Sequence, residues 1–462
     1  MSAAPSSINR QLVRMSVPII GLNVLNVLML AVDAALCGRM PDARHVLAAL
    51  GYATQVIFLL MVAMLGLLVG TVALVARAHG AGDTKRLDHL LAQSTQLTAL
   101  VGIVVGLIGA VLAGPILRAL GASHEVAELG VAYLRPLMIG TPFFYLGLLY
   151  AGILRGVGNT RLPFVCALGA NIVNAVLNYA LILGNLGLPA LGVTGSAVGT
   201  VIAQFLNCLA LAWLLRRGSI PNVVLPLRVT RIDRSLAVEL LRIGWPAAID
   251  MFILNAGFLT ALGILGRIDE TSVAAHGLGL RVQSLAFVPG MGIAQAAAAM
   301  IGQALGAANV DRARQIARAA VVLCVVVMTA LAIVIVLAAH PLVATFDVPA
   351  HTPLEEYAVE WMRILAYAML PAAVNIALVG VLQGSGATRI SLRINIWTTL
   401  ALQVPLAALL GLALDLGATG VWLSFPISFV AKSAMTYLAF KQGNWAVTGV
   451  RIPAKPVVSV DH

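Results

Sequence analysis

The chain has 462 residues, of which 60% are hydrophobic and only 10% charged. A soluble globular domain carries roughly a quarter charged residues, so soluble enzymes and soluble nucleic-acid-binding proteins are excluded, and the length suffices for about a dozen membrane spans of ~20 residues. The formal net charge of +11 must then be explained by where the basic residues lie.

Residues 1–11 are polar, and the apolar run after them is too long for a signal-peptide core, so that run is expected to remain as the first span. It extends from Val13 to Gly38 and carries Asp33 near its far end. A carboxylate at mid-membrane costs at least ~2.5 kcal/mol, and its default reading is a functional site. Asn26 lies two helical turns earlier and shares the face of Asp33. The alternative is that Asp33 snorkels to the interface beside Arg39.

Apolar runs predict helices at 13–38, 46–78, 90–114, 126–151, 163–184, 193–216, 239–265, 272–304, 314–340, 355–382, 391–414 and 418–440. Each is long and continuously apolar, whereas a barrel strand needs only ~10 alternating residues. In the fifth run Asn171, Asn174 and Asn178 share one face, and in the sixth Thr200, Gln204 and Asn207 do the same. Such stripes are expected to point inward beside Asn26 and Asp33, because unpaired polar groups are costly against lipid. Alternatively they glue helices together at ~0.6–2 kcal/mol per bond. Asp250 lies one turn after Pro246 in the seventh run. It reads as a coupling or substrate residue, or as a partner for Arg281 in the eighth. Asn375 sits in the tenth run, and Lys432 in the twelfth is expected to be paired or snorkelling. Prolines inside the runs, among them Pro142, Pro289, Pro371, Pro405 and Pro426, mark expected kinks. The tail 442–462 contains Pro453 and Pro456 with no apolar run and is expected to be disordered.

With the N-terminus in the cytoplasm, most of the 29 Lys and Arg residues fall on the inner side, including Arg10, Arg14, Arg77, Arg155, Arg161, Arg216, Arg228, Arg234, Arg312, Arg389, Arg451 and Lys455. Only Arg39, Arg44, Arg118 and Arg267 fall outside, while Arg135, Arg281, Arg363 and Lys432 lie within spans. The positive-inside rule therefore places both termini in the cytoplasm. It also accounts for the net charge without nucleic acid, and the expected location is the inner (cytoplasmic) membrane. Internal repetition is equally marked. Gly152–Arg161 matches Gly380–Arg389, Tyr133–Arg135 matches Trp361–Arg363, Pro18 matches Pro246, and Gly38 matches Gly266, all at an offset of 228. The expected fold is an all-α polytopic membrane protein of twelve transmembrane helices in two pseudo-symmetric six-helix bundles. The expected division is an N-terminal lobe 1–216, a cytoplasmic linker 217–238, a C-terminal lobe 239–441 and the tail. Parallel duplicated halves are a transporter design.

Leu154–Arg161, closing the fourth span, resembles a signature of the multidrug and toxic compound extrusion (MATE) transporters. Ala275–Gly290, running on to Gly302–Gly306, resembles that family's eighth span, and Val32–Asp33 with Cys37–Gly38 is similar to the end of its first. The resemblance covers about residues 10–440 and lies nearest the DinF-like branch, where the essential acid sits in the first span. It implies cation-coupled efflux of small organic cations or amphipathic compounds, with Asp33, Asn174, Asn178 and Thr200 in coupling. Asn26, Asn171, Gln204, Asn207, Asp250, Arg281 and Asn375 are the expected cavity residues. The chain departs from the family pattern at one point. The family's fifth span usually places an acid four residues after an Asn, whereas this chain has Asn174 and Asn178. That leaves Asp33 without a like-charge neighbour and weakens a sodium site, since hard cations favour several oxygen ligands including carboxylates. Proton coupling is therefore expected, with sodium coupling as the alternative.

A lipid-linked oligosaccharide flippase shares this plan, but it should ring its cavity with Arg and Lys, and only Arg281 and Lys432 are candidates here. Gly156–Gly158 lacks the Lys-Ser/Thr of a phosphate loop. The histidines show no metal-ligand spacing, and no Ser/His/Asp arrangement suggests an intramembrane hydrolase. No enzyme activity, cofactor or metal is expected, and the chain is expected to act as a monomer in lipid. The scattered Cys37, Cys166, Cys208 and Cys324 read as inert thiols.

Overall fold

A computed structural model describes residues 5–40, 42–226 and 231–448. Among them are twelve helices long and apolar enough to cross a membrane. They are α1 (Pro5–Cys37), α2 (Ala43–Gly80), α3 (Thr84–Ala119), α4 (His124–Gly156), α5 (Arg161–Leu183), α6 (Val193–Arg216), α7 (Arg234–Leu265), α8 (Glu270–Gly306), α9 (Val310–Leu337), α10 (Pro353–Gly384), α11 (Thr388–Ala413) and α12 (Gly417–Gln442). The protein is all-α; its one β feature among the described residues is an isolated bridge between Ile220 and Val223.

Every predicted run is a helix, and most helices extend past the apolar stretch because polar caps lengthen them. Asp83 accepts from the Arg86 amide at 3.0 Å and starts α3 at Thr84. Asp233 accepts from the Ser235 and Leu236 amides and starts α7 at Arg234, so the predicted linker gives its last residues to that helix. These side-chain oxygens satisfy amides that a helix N-terminus leaves without partners. The repeat reaches even the caps, since Ser123 before α4 and Thr352 before α10 serve equivalent helices. Most of the predicted kink prolines sit inside continuous helices, but around Pro405 α11 widens into π-helical turns at Ile396–Gln403 and Leu409–Ala413. Proline lacks the amide an α-turn needs, and wider turns re-route the neighbouring carbonyls.

The tail expected from Gln442 opens instead with a short helix, Asn444–Thr448. Its Trp445 is fully buried, stacks on Phe440 and donates to the Phe440 carbonyl at 3.0 Å. Arg228, Arg451, Lys455, Pro453 and Pro456 lie outside the described residues.

Helix packing follows the duplication. In the first lobe α4 packs against α2, α3 and α6, and α1 against α5; in the second α10 packs against α8, α9 and α12, and α7 against α11. The lobes meet through α1 with α8 and through α2 with α7 and α8. The two leading helices exchange their first halves. Ile8, Leu12, Met15 and Ile19 of α1 belong to the second lobe's core, while Leu236, Leu240 and Ile243 of α7 belong to the first lobe's core.

Candidate functional site

Asp33 is 4% exposed, on the last turns of α1, where that helix lies against α5. The same face of α5 brings Asn178 to it, and the Asn178 Nδ2 donates to the Asp33 carboxylate at 2.5 Å. Asn178 Nδ2 also donates to Asn174 Oδ1 at 3.2 Å, and Asn174 Nδ2 donates to Thr200 Oγ1 on α6 at 3.1 Å. The four coupling candidates thus form one chain of hydrogen bonds through three helices. Gly199 makes room for it, because a Cβ there would sit 2.3 Å from Asn178 Oδ1. That Oδ1 is buried and has no hydrogen-bond partner among the described residues. Buried Tyr133 and Cys37 lie within electrostatic range of Asp33, and neither was among the expected site residues.

Other cavity candidates fall elsewhere. Asn26 is exposed and makes no hydrogen bond to a described residue, although it is two turns from Asp33. Asn171 donates to the Ala167 carbonyl of its own helix at 2.7 Å, so it closes on α5 rather than joining the cluster. Asn207 faces Gly147 on α4 and keeps a buried Oδ1 without a partner among the described residues. Gln204 is half-buried and takes no part in the Asp33 chain.

The second lobe holds its own acid. Asp250, 4% exposed, accepts from Ser391 Oγ at 2.8 Å and from Asn395 Nδ2, both on α11. Lys432 of α12 is buried and acts on it electrostatically, with its Nζ 5.3 Å from the Phe429 ring centroid. The suggested pairing with Arg281 is overturned: Arg281 is exposed and its guanidinium lies over the Phe346 ring at 5.9 Å. Asn375 is buried and accepts from Thr436 at 3.1 Å, within the second lobe. The partners Ser391 and Asn395 carried no distinct signal in the sequence. The one available clue was that Asp250 and Asn395 are 145 residues apart, the separation of Asp33 and Asn178.

The signature closing α4 clasps the lobes. Arg155 donates to Gln295 of α8, and Gln303 of α8 returns a bond to the Gly156 carbonyl at 2.8 Å. Arg77 of α2 donates to the Ser385 carbonyl after α10 at 2.8 Å. Gly158, at φ +92°, makes the turn that lets Asn159 Oδ1 cap α5 through the Leu162 amide. Nearby, Arg86 pairs with Glu239 at 3.0 Å, and His89 with Asp233 at 3.0 Å. The Ser235 hydroxyl, then His89, hold the Asp233 carboxyl well below the usual carboxylate range.

The family model described as MatE matches the chain twice, over residues 18–180 and 246–409, at starts separated by the repeat offset. The chain is 26% identical over 449 residues to a probable multidrug resistance protein NorM of Thermotoga maritima, covering 95% of this chain and 93% of the relative. It is 30% identical over 430 residues to the multidrug resistance protein NorM of Burkholderia vietnamiensis, covering 91% and 92%. Among solved structures it resembles the outward-facing conformation of a multidrug resistance MATE family transporter, with TM-score 0.87, 24% identity and coverage of 97% and 99%. A MOP superfamily transporter from Pyrococcus furiosus gives TM-score 0.88 at 24% identity, covering 96% and 97%. At these identities the structural likeness is one of fold.

Proposed function

The chain belongs to the MATE family of multidrug efflux transporters, and from that premise we propose that it exports small organic cations or amphipathic compounds in exchange for protons entering the cell. One observation carries the proton reading: Asp33 is a buried carboxylate whose one hydrogen-bonding partner among the described residues offers both a donor and an unused acceptor. A carboxyl that takes up a proton needs an acceptor for the new O–H. Asn178 can supply it through Oδ1 while Nδ2 keeps donating, so a neutral Asp33 closes a two-bond ring with the amide.

The mechanism is alternating access by rocking of the two lobes. With the basic loops inside, the clasped end faces the cytoplasm, which is the arrangement of an outward-facing state. Protonation of Asp33 from outside removes its charge and re-forms its bond to α5. The chain through Asn174 and Thr200 shifts with it, and the bound cation loses its counter-charge and leaves. Opening of the Arg155–Gln295 and Gln303–Gly156 contacts then exposes Asp33 to the cytoplasm, where the proton is shed. Each proton entering down the membrane potential supplies ~2.3 kcal/mol per 100 mV.

Dye efflux by inverted vesicles tests this. Asp33→Asn should fold and fail to pump, whereas a folded Asp33→Asn that pumps at the wild-type rate refutes the scheme. The orphan Asn178 Oδ1, with Asn174 Oδ1 and Thr200 Oγ1 close by, also suits a small hard cation. Efflux that requires sodium and ignores an uncoupler would favour that second reading.

A further inference from the structure

We propose that a cleft at the basic end of the seam binds the phosphate of an anionic membrane phospholipid and ties the two lobes together through it; the tie rests on the rocking of the lobes described above, the binding does not. The open cleft has a volume of about 570 Å³ and is lined by Asn9, Arg10, Val13 and Arg14 of α1 and by Arg161, the first residue of α5. All three arginines are exposed, and among the described residues none lies within 4.0 Å of a carboxylate. The sequence explains this, because α1 has no acid before Asp33 and α5 has none at all. The neighbouring α9 brings Arg312, which donates to Gln11 at 3.4 Å, while its Asp311 is already paired with Arg314. Three guanidiniums around one cleft repel one another unless an anion sits between them. Phosphate suits that place, since Arg offers it paired N–H donors in a planar fork.

The surroundings select a lipid over a free anion. Val13 and Val17 on α1, and Val165 and Leu168 on α5, are exposed apolar side chains on the faces that carry the arginines. Val17 follows Arg10 by seven residues, and Val165 and Leu168 follow Arg161 by four and seven, so each stripe runs from a basic head along an apolar wall. A phospholipid presents the same order, phosphate first and acyl chain beyond. Further in, the two helices close on each other, since a Cβ on Gly21 would lie 2.6 Å from the Phe164 ring. The cleft therefore ends before the Asp33 cluster, and its charge repels the cationic cargo of the proposed exchange.

The cleft also spans the seam. On the other face of this stretch of α1, Ile8 and Leu12 belong to the second lobe's core. Arg161 instead ends the first-lobe signature whose Arg155 and Gly156 clasp α8. A phosphate held by Arg10, Arg14 and Arg161 together adds a contact across the clasp that is complete only while this end is closed. The repeat supplies a comparison. At an offset of 228, Arg242 and Arg389 stand for Arg14 and Arg161, but Val238 stands for Arg10, so the equivalent place in the second half lacks the third cation.

The test is native mass spectrometry of the delipidated full-length protein with added phosphatidylglycerol, phosphatidylcholine or inorganic phosphate. One phosphatidylglycerol should bind at least about tenfold more tightly than phosphatidylcholine, and excess inorganic phosphate should not displace it. Arg14→Gln with Arg161→Gln should weaken that binding roughly 30-fold. Arg242→Gln with Arg389→Gln, which removes the same charge from the equivalent place, should leave it unchanged. Elution as a monodisperse species is checked first; if the first pair does not fold, Arg10→Gln alone should weaken binding about fivefold. Equal binding of the two lipids, or equal weakening by the two pairs of substitutions, overturns the site, and displacement by inorganic phosphate overturns the lipid as its occupant. Spin labels on Lys85→Cys and Ala307→Cys, in a background lacking the native cysteines, should show a larger closed population in phosphatidylglycerol vesicles than in phosphatidylcholine vesicles. The Arg14 and Arg161 pair should lose that gain. Lipid binding without the gain overturns the tie between the lobes.

Discussion

The crossing of α2 and α8 can be tested by one methyl group. A Cβ on Gly306 would lie 2.1 Å from the Arg77 carbonyl oxygen, and one on Gly80 would lie 2.1 Å from the Gln303 carbonyl oxygen. Ordinary contact begins at 3.4 Å, and the obstructing atoms are backbone, so they cannot rotate aside. Gly306→Ala therefore forces the helices apart by about an ångström, at the ~1–3 kcal/mol typical of overpacking. The strain acts only while this end is closed, so it should shift the conformational balance toward the opened form by roughly 5- to 150-fold. Spin labels on Lys85→Cys and Ala307→Cys, in a background lacking the native cysteines, report the distance across the seam. The variant should gain a longer-distance population and export substrate more slowly. An unchanged distance distribution with wild-type efflux would refute the close crossing and the role given to it.

Arg155→Met removes one contact of the same clasp. Losing a charge-assisted bond costs about 1.5–3 kcal/mol, so the labels should report a shift in the same direction as Gly306→Ala; an unshifted distribution would mean that Arg155 does not hold the seam. Trp445→Ala empties a fully buried site. It should cost ~3–5 kcal/mol, read as a clear fall in the melting temperature in detergent, and an unchanged melt would show that the helix after α12 is not docked. Asp233 has a depressed carboxyl, so its cap and ion pair add stability above the ordinary carboxylate value of about 3.9 and lose it only as pH falls through the lower folded value. Asp233→Ala should therefore melt below wild type at pH 5, with the gap closing only under much more acid conditions; a gap that closes between pH 6 and pH 5 would contradict this.

The span count and the duplication could be read from the chain because each follows from one-dimensional regularities, run length and offset, whereas the grouping of Asp33 with Asn178 came from the family resemblance and not from spacing. What was missed depends on where helices turn. Asn26 obeys the helical spacing to Asp33, but α1 leaves one lobe's core and enters the other, so a constant face looks onto different surroundings. Asn171 keeps the stripe's register yet folds back on its own carbonyl, a choice that spacing does not determine. Ser391 and Asn395 lie one α-helical turn apart on α11, but Asp250 is 141 and 145 residues away, so their spacing alone did not reveal their convergence on it. The Leu154–Arg161 signature was visible as a motif, but its bonds to Gln295 and Gln303 join residues about 140 positions apart.

Since the opening half of α1 is embedded in the far bundle and its closing half is tied to α5 in the near one, this helix works as a crossbar. In the proposed scheme, neutralising the side chain at its tip loosens or tightens a rod whose other end is gripped across the seam, so a proton arriving on one side of the bilayer is felt at the opposite side without a long relay of side chains. The reciprocal embedding of α7 supplies a second rod in the equivalent place of the other lobe, and the acid at its midpoint lies where that rod passes from one grip to the other.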